Sequence, residues 1–349
     1  MFDGVYRNYR LYVPAVYNSN TPVPLILNLH GYTSNATEQQ FYSYFDPIAD
    51  TANFLLVMPQ GTRDNQNQTF WNAFGGPGPN DVGFLSALID TINAGYNVNL
   101  NRVYSTGMSN GGFMSYKLAC ELSNRIAAIA SVTGTMVTTQ FNNCTPTHPV
   151  PVMEIHGTAD GTVPYNGGSG FAAIPNVLSY WVNNNNCNPV ADSSDVPNSN
   201  TTDGCTAKRY VWSGGDNGAT VEHYKVIGGG HTWPGALFNI GVTNQDFNAS
   251  QEIWRFFNQY TLSGLTDIKQ TAEATAGFTI YPNPTNTDFT VTFADNSKRT
   301  VTVVNAMGQV VQQLATADKQ LLLPLSTTGL YFVTVQQGAN VWSKKVVKY

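Results

Sequence analysis

Charge is scarce in this chain: of 349 residues only 17 are Lys or Arg and 22 Asp or Glu, for a formal net charge of −5. No basic cluster recommends a nucleic-acid partner, and the lack of charge fits an uncharged substrate better than an ionic one. Nor is there an apolar run of the roughly 20 residues that span a membrane. Met1-Phe2-Asp3-Gly4-Val5-Tyr6 enters a strand-like sequence without the basic start and apolar core of a leader. The chain is read either as cytoplasmic or as lacking its leader, and its carboxyl end favours the second. Cysteine is limited to Cys120, Cys144, Cys187 and Cys205, with no C-x-x-C spacing and no histidine at metal-ligand distance. No metal site is expected, and the four residues point to disulfides in an oxidising compartment. Three connectivities are possible; Cys187 with Cys205, closing the polar segment Asn188 to Gly204, and Cys120 with Cys144 are the expected ones.

The chain does carry a G-x-S-x-G cluster, Gly107-Met108-Ser109-Asn110-Gly111, between the strand-like Arg102 to Thr106 and the helix-like Phe113 to Ala119. That is the setting of a nucleophile elbow: a sharp strand-to-helix turn strains the serine backbone and needs flanking glycines. In such folds the chain order is serine, acid, histidine. Downstream, a buried-looking strand, Val150 to Ile155, runs into a turn carrying Asp160. A second strand, Val221 to Ile227, delivers the loop Gly228-Gly229-Gly230-His231-Thr232-Trp233-Pro234-Gly235. Both lie after strands, at the sheet edge where open α/β folds bind ligands. Ser109 is expected as nucleophile, His231 as general base and then acid, and Asp160 as the group that orients the imidazole. His30, His148, His156 and His223 are the rival histidines; His156 reads as a strand-end residue whose ring ties down the Asp160 turn. Asp216 and Asp246 are the rival acids. The triple glycine precedes no clear helix and so reads as a carrier for His231, not a phosphate cradle.

A tetrahedral intermediate also needs hydrogen-bond donors. The N–H of Asn110 and that of Tyr32, in the His30-Gly31-Tyr32-Thr33 loop after strand Pro24 to Leu29, are the expected oxyanion hole. Tyr32, Gln60, Trp71 and Trp233 are the candidate substrate contacts.

Six segments together carry a resemblance over roughly residues 5 to 260: Leu29-His30-Gly31-Tyr32, Met58-Pro59-Gln60-Gly61, Asp81-Val82-Gly83-Phe84, the Ser109 elbow with Asn110-Gly111-Gly112, His156-Gly157-Thr158-Ala159-Asp160, and Gly229 to Gly235. The chain resembles the polyhydroxybutyrate depolymerase and feruloyl esterase branch of the α/β-hydrolases, which includes the first family of carbohydrate esterases. The resemblance implies an α/β fold with a mostly parallel central sheet flanked by helices. It also implies hydrolysis of a polysaccharide-linked ester or polyester through an acyl-serine, without metal or organic cofactor. Asn-Gly-Gly after the serine fits these esterases, whereas aromatic-polyester hydrolases carry Met-Gly-Gly there. Aromatic polyester hydrolysis, and a noncatalytic surface or adhesion protein on an esterase scaffold, are the alternatives.

The catalytic domain is read as residues 1–262 and a polar linker as 263–277. From 278 to 349 five short strands alternate with turn signals, the pattern of a small all-β sandwich. Tyr281-Pro282-Asn283-Pro284, Asn305-Ala306-Met307-Gly308-Gln309, Gly329 to Val333 and the basic end Lys344 to Lys348 resemble the sorting domain of the Bacteroidetes type IX secretion system. That resemblance implies handling by secretion machinery, export to the cell surface or medium, and removal of the tail afterwards. An immunoglobulin-like substrate-binding module is the competing reading of the tail.

Overall fold

A computed structural model describes residues 1–168, 170–266, 278–305, 309–338 and 340–349. The chain divides into two compact units, Met1–Asp267 and Ile268–Tyr349.

The strands of the first unit are β1 (Tyr9–Tyr12), β2 (Val23–Leu29), β3 (Leu55–Pro59), β4 (Thr62–Arg63), β5 (Thr69–Phe70), β6 (Val98–Met108), β7 (Ala128–Val132), β8 (Val152–Gly157), β9 (Asp192–Asp195), β10 (Thr206–Trp212) and β11 (Val221–Ile227). Nine of them form one sheet in the order β1-β3-β2-β6-β7-β8-β11-β10-β9, and β4 pairs with β5 as a separate hairpin. The six strands from β3 to β11 run parallel, and antiparallel strands close both sides. β2, β3, β7 and β8 are buried along their whole length. They read as continuous apolar runs because a parallel sheet is covered on both faces.

The period of two sends Leu25, Leu27 and Leu29 into one core and Ile26 into the other. The helices are α1 (Ala36–Ser43), α2 (Asp46–Ala52), α3 (Asp81–Gly95), α4 (Asn110–Glu121), α5 (Thr138–Asn143), α6 (Ile174–Asn184), α7 (Ala249–Phe257) and α8 (Leu262–Thr266). Leu85 and Ile89 of α3, Phe113 and Leu118 of α4 and Trp181 of α6 fill the first core. Tyr42 of α1, Ala49 of α2 and Ile253, Phe256 and Phe257 of α7 fill the second. This is the α/β-hydrolase arrangement that the motifs led us to expect. α8 occupies the first residues of the expected linker; residues 267–277 lie outside the described residues.

Of the two expected disulfides, Cys120–Cys144 is made, across a sequence separation of 24. By the loop-entropy model a bridge of that span stabilises by about 3 kcal/mol. The expected Cys187–Cys205 bridge is absent: both are buried free thiols. The reason is β10. Cys187 sits at its far end, where Asn188 N–H donates to Ser213 O and the thiol approaches Ala219 O, whereas Cys205 immediately precedes its first residue, beside Asp203 and Asn244. Seven strand residues at about 3.3 Å each separate the two sulfurs far beyond bonding reach.

In the second unit, β12 (Phe278–Tyr281), β13 (Phe289–Phe293) and β16 (Gln320–Leu323) form one sheet. β15 (Val310–Thr316), β14 (Arg299–Asn305), β17 (Gly329–Gln337) and β18 (Asn340–Lys348) form the other. Phe278, Phe289 and Val291 of the first meet Val301, Val303, Val333 and Val346 of the second in one core, which makes the unit a β-sandwich. Two strands, β15 and β16, exceed the five expected. β15 is an edge strand with no fully buried residue, so its polar sequence lacks the alternation that marks a strand. Ala306, Met307 and Gly308 of one tail motif lie outside the described residues.

Candidate active site

β6, β7, β8 and β11 end level with one another. Ser109 N–H donates to Val132 O at 2.8 Å, Thr133 N–H to Ile155 O at 2.9 Å and Thr158 N–H to Val226 O at 2.8 Å. The three loops carrying Ser109, Asp160 and His231 therefore leave the sheet at one edge. Ala159 N–H, one residue before Asp160, also donates to Gly229 O at 2.9 Å, tying the acid turn to the histidine loop.

Ser109 has φ +53° and ψ −119° as the N-cap of α4, a strained conformation for a residue with a side chain. The flanking glycines let the turn close. A Cβ on Gly107 would lie 2.6 Å from Leu29 O and 2.7 Å from the Gly111 carbonyl carbon, and one on Gly111 would collide with Leu29 O. Among the described residues the Ser109 hydroxyl has no hydrogen-bond partner, and neither has Nε2 of His231. No Ser109–His231 hydrogen bond is formed among the described residues.

Nδ1 of His231 lies 2.7 Å from Asp160 Oδ2, and the ring remains 19% exposed while the Asp160 side chain is fully covered. Asp160 Oδ1 accepts N–H bonds from Thr162 and Val163, both at 2.8 Å. Burial pushes the Asp160 carboxyl up, but the bond from His231 and that from the Val163 N–H outweigh it and hold it below the usual carboxylate range. Nδ1–H accordingly donates to the Asp160 carboxylate, and the other ring nitrogen, Nε2, has no partner among the described residues.

The N–H groups of Tyr32 and Asn110 have no protein acceptor among the described residues. That of Asn110 is the first of a helix, where the macrodipole favours negative charge. The Tyr32 loop is held rigid from beneath. His30 is fully buried; its Nε2 accepts the Gly61 N–H at 2.9 Å and its Nδ1 donates to Gly31 O at 2.7 Å, and its carbonyl accepts Trp71 Nε1–H at 3.0 Å. The side chain of Asn110 clasps the Trp71 backbone, accepting from its N–H at 2.6 Å and donating to its carbonyl at 3.1 Å.

The expected substrate contacts divide. Tyr32 is exposed, with its hydroxyl donating to Asp64 at 2.7 Å. Trp71 and Trp233, expected as pocket walls, are instead core side chains, the second donating from Nε1 to Ser250 Oγ. Gln60 is committed to the scaffold, accepting from Ala36 N–H at 3.1 Å and facing His30 Nε2 at 3.2 Å. Asp81 completes that scaffold by pairing with Arg7 at 2.7 Å and accepting the Asn72 N–H. Residue-by-residue reading missed this clasp of His30, Trp71 and the Asn110 amide, since His30 and Asn110 stand in separate motifs and Trp71 in none of them.

Residues 7–156 match the family described as Esterase PHB depolymerase, and residues 279–349 match the secretion system C-terminal sorting domain. The chain is 30% identical over 271 residues to a putative esterase, NocK, of Nocardia uniformis subsp. tsuyamanensis, covering 71% of this chain and 78% of that protein. It belongs to the polyhydroxybutyrate-depolymerase family of esterases. Feruloyl esterase D of Neurospora crassa is 28% identical over 270 residues, 74% of this esterase and 83% of the fungal one. A bifunctional acetylxylan esterase/xylanase of Neocallimastix patriciarum is 29% identical over 263 residues, 75% of this chain but 34% of that protein, so the chain spans about a third of its length. An acetyl xylan esterase from Aspergillus awamori shares the fold, with a TM-score of 0.51 at 14% identity over 72% of this chain and 93% of that one. The tail of this esterase is therefore a sorting domain, which implies export. No helix among the described residues is long and apolar enough to cross a membrane.

Two buried histidines give the esterase an acid limit. Burial pulls His30 down to about 4 and His223 to about 3. His223 is a neutral ring: Nδ1 donates to Glu154 O at 2.9 Å and Nε2 accepts from the Tyr165 hydroxyl at 3.0 Å. Because the folded pKa lies below that of the unfolded chain, about 6.5, each ring's contribution is complete above pH 6.5 and is lost as pH falls toward 4. Each lowering corresponds to roughly 3 kcal/mol by pH 4. A fall in Tm on the order of 10 °C between pH 7 and pH 4 is expected by calorimetry, and a smaller fall in His223→Gln. A flat Tm over that interval would contradict both protonation states.

Proposed function

We propose that this esterase cleaves its substrate through an acyl-Ser109 intermediate. His231 acts as general base and then acid, Asp160 holds the imidazole, and the N–H groups of Tyr32 and Asn110 receive the oxyanion. The observation that carries the reading is the 2.7 Å contact between His231 Nδ1 and a buried, doubly N–H-bonded Asp160, on loops leaving the same sheet edge as the strained Ser109. Attack by Ser109 Oγ on the ester carbonyl sends its proton to His231 Nε2; the alcohol leaves with that proton, and water then repeats the sequence to free the acid.

The substrate class is an uncharged ester: feruloyl or acetyl groups on plant polysaccharide, or a polyhydroxyalkanoate. The relatives' names support the first, the family match supports the second. An exposed apolar run, Leu237, Phe238 and Ile240, supports a substrate without charge near the site. It is fastened to the histidine loop where Gly230 N–H donates to Val242 O at 2.9 Å. With its type IX sorting tail the esterase would work in the medium or at the cell surface.

The test is a parallel assay of purified protein on p-nitrophenyl acetate, methyl ferulate, acetylated xylan and polyhydroxybutyrate. Release of ferulate or xylan acetate is the expected result for a plant-wall esterase, and clearing of the polymer for a depolymerase. No turnover of any of the four would sink the proposal.

A further inference from the structure

Directly behind Asp160 lies a second ionisable set that the acyl-serine reading leaves unused. Glu154 and His156 alternate along β8 and are both fully buried. His156 Nδ1 is 2.9 Å from Glu154 Oε1, and its Nε2 is 2.9 Å from Val163 O and 3.4 Å from Asp160 Oδ2. A carbonyl only accepts, so Nε2 carries a proton. The other Glu154 oxygen accepts from the Tyr116 hydroxyl at 2.8 Å. With a proton on Nδ1 as well, the ring is an imidazolium paired with a carboxylate. Burial opposes both charges and pushes the Glu154 carboxyl up, but the bond and charge of Glu154 hold His156 above the ordinary imidazole range. Tyr116 of α4, Ser131 of β7, Tyr165, and His223 and Lys225 of β11 surround the pair. Of these only Lys225 is charged at neutral pH, since His223 is held neutral.

A buried ion pair stabilises a fold no better than apolar packing of the same volume, so its place beside Asp160 is informative. His156 Nε2 meets the same oxygen, Oδ2, that faces His231, and it binds the carbonyl of Val163, the residue whose N–H holds Oδ1. We propose that His156, ionised and anchored by Glu154, is a positioning residue for ester hydrolysis, fixing the Asp160 carboxylate and its turn against His231. The inference rests on the Ser109, His231 and Asp160 reading above. Its positive charge also offsets part of the Asp160 charge, so removing it changes the charge balance on which the acid limb of the rate depends.

His156→Gln keeps an amide to reach Val163 O but no charge. For p-nitrophenyl acetate the expected result is kcat down about 10- to 100-fold with KM unchanged, and the acid limb of kcat/KM moved up by about 0.5–1 pH unit. Glu154→Gln is expected to move the limb the same way by less. A folded His156→Gln with wild-type kcat, or with reduced kcat and an unmoved limb, would assign the pair to packing and overturn the proposal. Should that variant not fold, Glu154→Gln and nitrogen-15 imidazole NMR of the wild type decide. Two ring N–H protons on His156 above pH 7 support the proposal, and one proton overturns it. Unchanged hydrolysis in Ser109→Ala strikes the acyl-serine reading instead, whereas Ser109-dependent hydrolysis insensitive to His156→Gln strikes this one alone.

Discussion

Ser109→Ala is expected to lower kcat on p-nitrophenyl acetate by about 10⁵- to 10⁶-fold while leaving the fold intact. On the proposed mechanism the loss is large because the hydroxyl forms the acyl bond, and what would survive is only the stabilisation supplied by the proposed oxyanion donors. The fold should not change because the Ser109 hydroxyl has no hydrogen-bond partner to lose among the described residues, and alanine bears the positive φ no worse than serine. Steady-state kinetics and a thermal melt on the same preparation make the check, with a fluorophosphonate label to count reactive serines. A variant that keeps more than a hundredth of wild-type turnover would remove Ser109 from the chemistry.

Asp160→Asn follows at about 10⁴-fold in kcat, by a different route. Oδ1 of this residue takes two backbone N–H bonds at 2.8 Å, so in the variant the amide oxygen must stay there and the NH₂ group must turn toward His231. That NH₂ donates to Nδ1, which forces the imidazole proton onto Nε2 and presents the serine with a donor where a base is needed. The same NH₂ also faces the His156 N–H, donor against donor, where the carboxylate oxygen stood 3.4 Å away. A pH–rate profile of the variant is the measurement. Near-normal turnover at pH 7 would mean that His231 takes its orientation from some other group.

The elbow could be read from sequence because every requirement is local: a strand-like run, a serine between glycines, and a helix after it. The positions of Asp160 and His231 followed from strand-then-loop order, and the parallel sheet does bring them to one edge. Other features depended on which way a side chain faces. Trp233 adjoins the histidine loop in sequence and Trp71 lies in the long segment from Gly61 to Asn80, yet both turn inward, since a large aromatic in a loop fills core as readily as it lines a pocket. The Cys187–Cys205 pairing failed because counting residues between the two takes no account of β10, which runs on from Cys205 and reaches Cys187 only at its far end. Glu154 is an acidic residue inside the apolar run Val150 to Ile155, and sequence reading gave it no role. Its meaning appears only when β8 is seen to carry it on the same face as His156, four residues before Asp160.

The two unpaired cysteines bear on how such a chain matures. Burial pushes the thiols of Cys187 and Cys205 each up to about 11. At neutral pH only about one sulfur in ten thousand is then a thiolate, the form that attacks a disulfide. A folded chain passing through an oxidising compartment therefore has one cross-link to make and no competing nucleophile to scramble it. Once folded, the chain offers the Cys120–Cys144 bond no reactive neighbour, and alkylating reagents applied under native conditions would find almost nothing to modify.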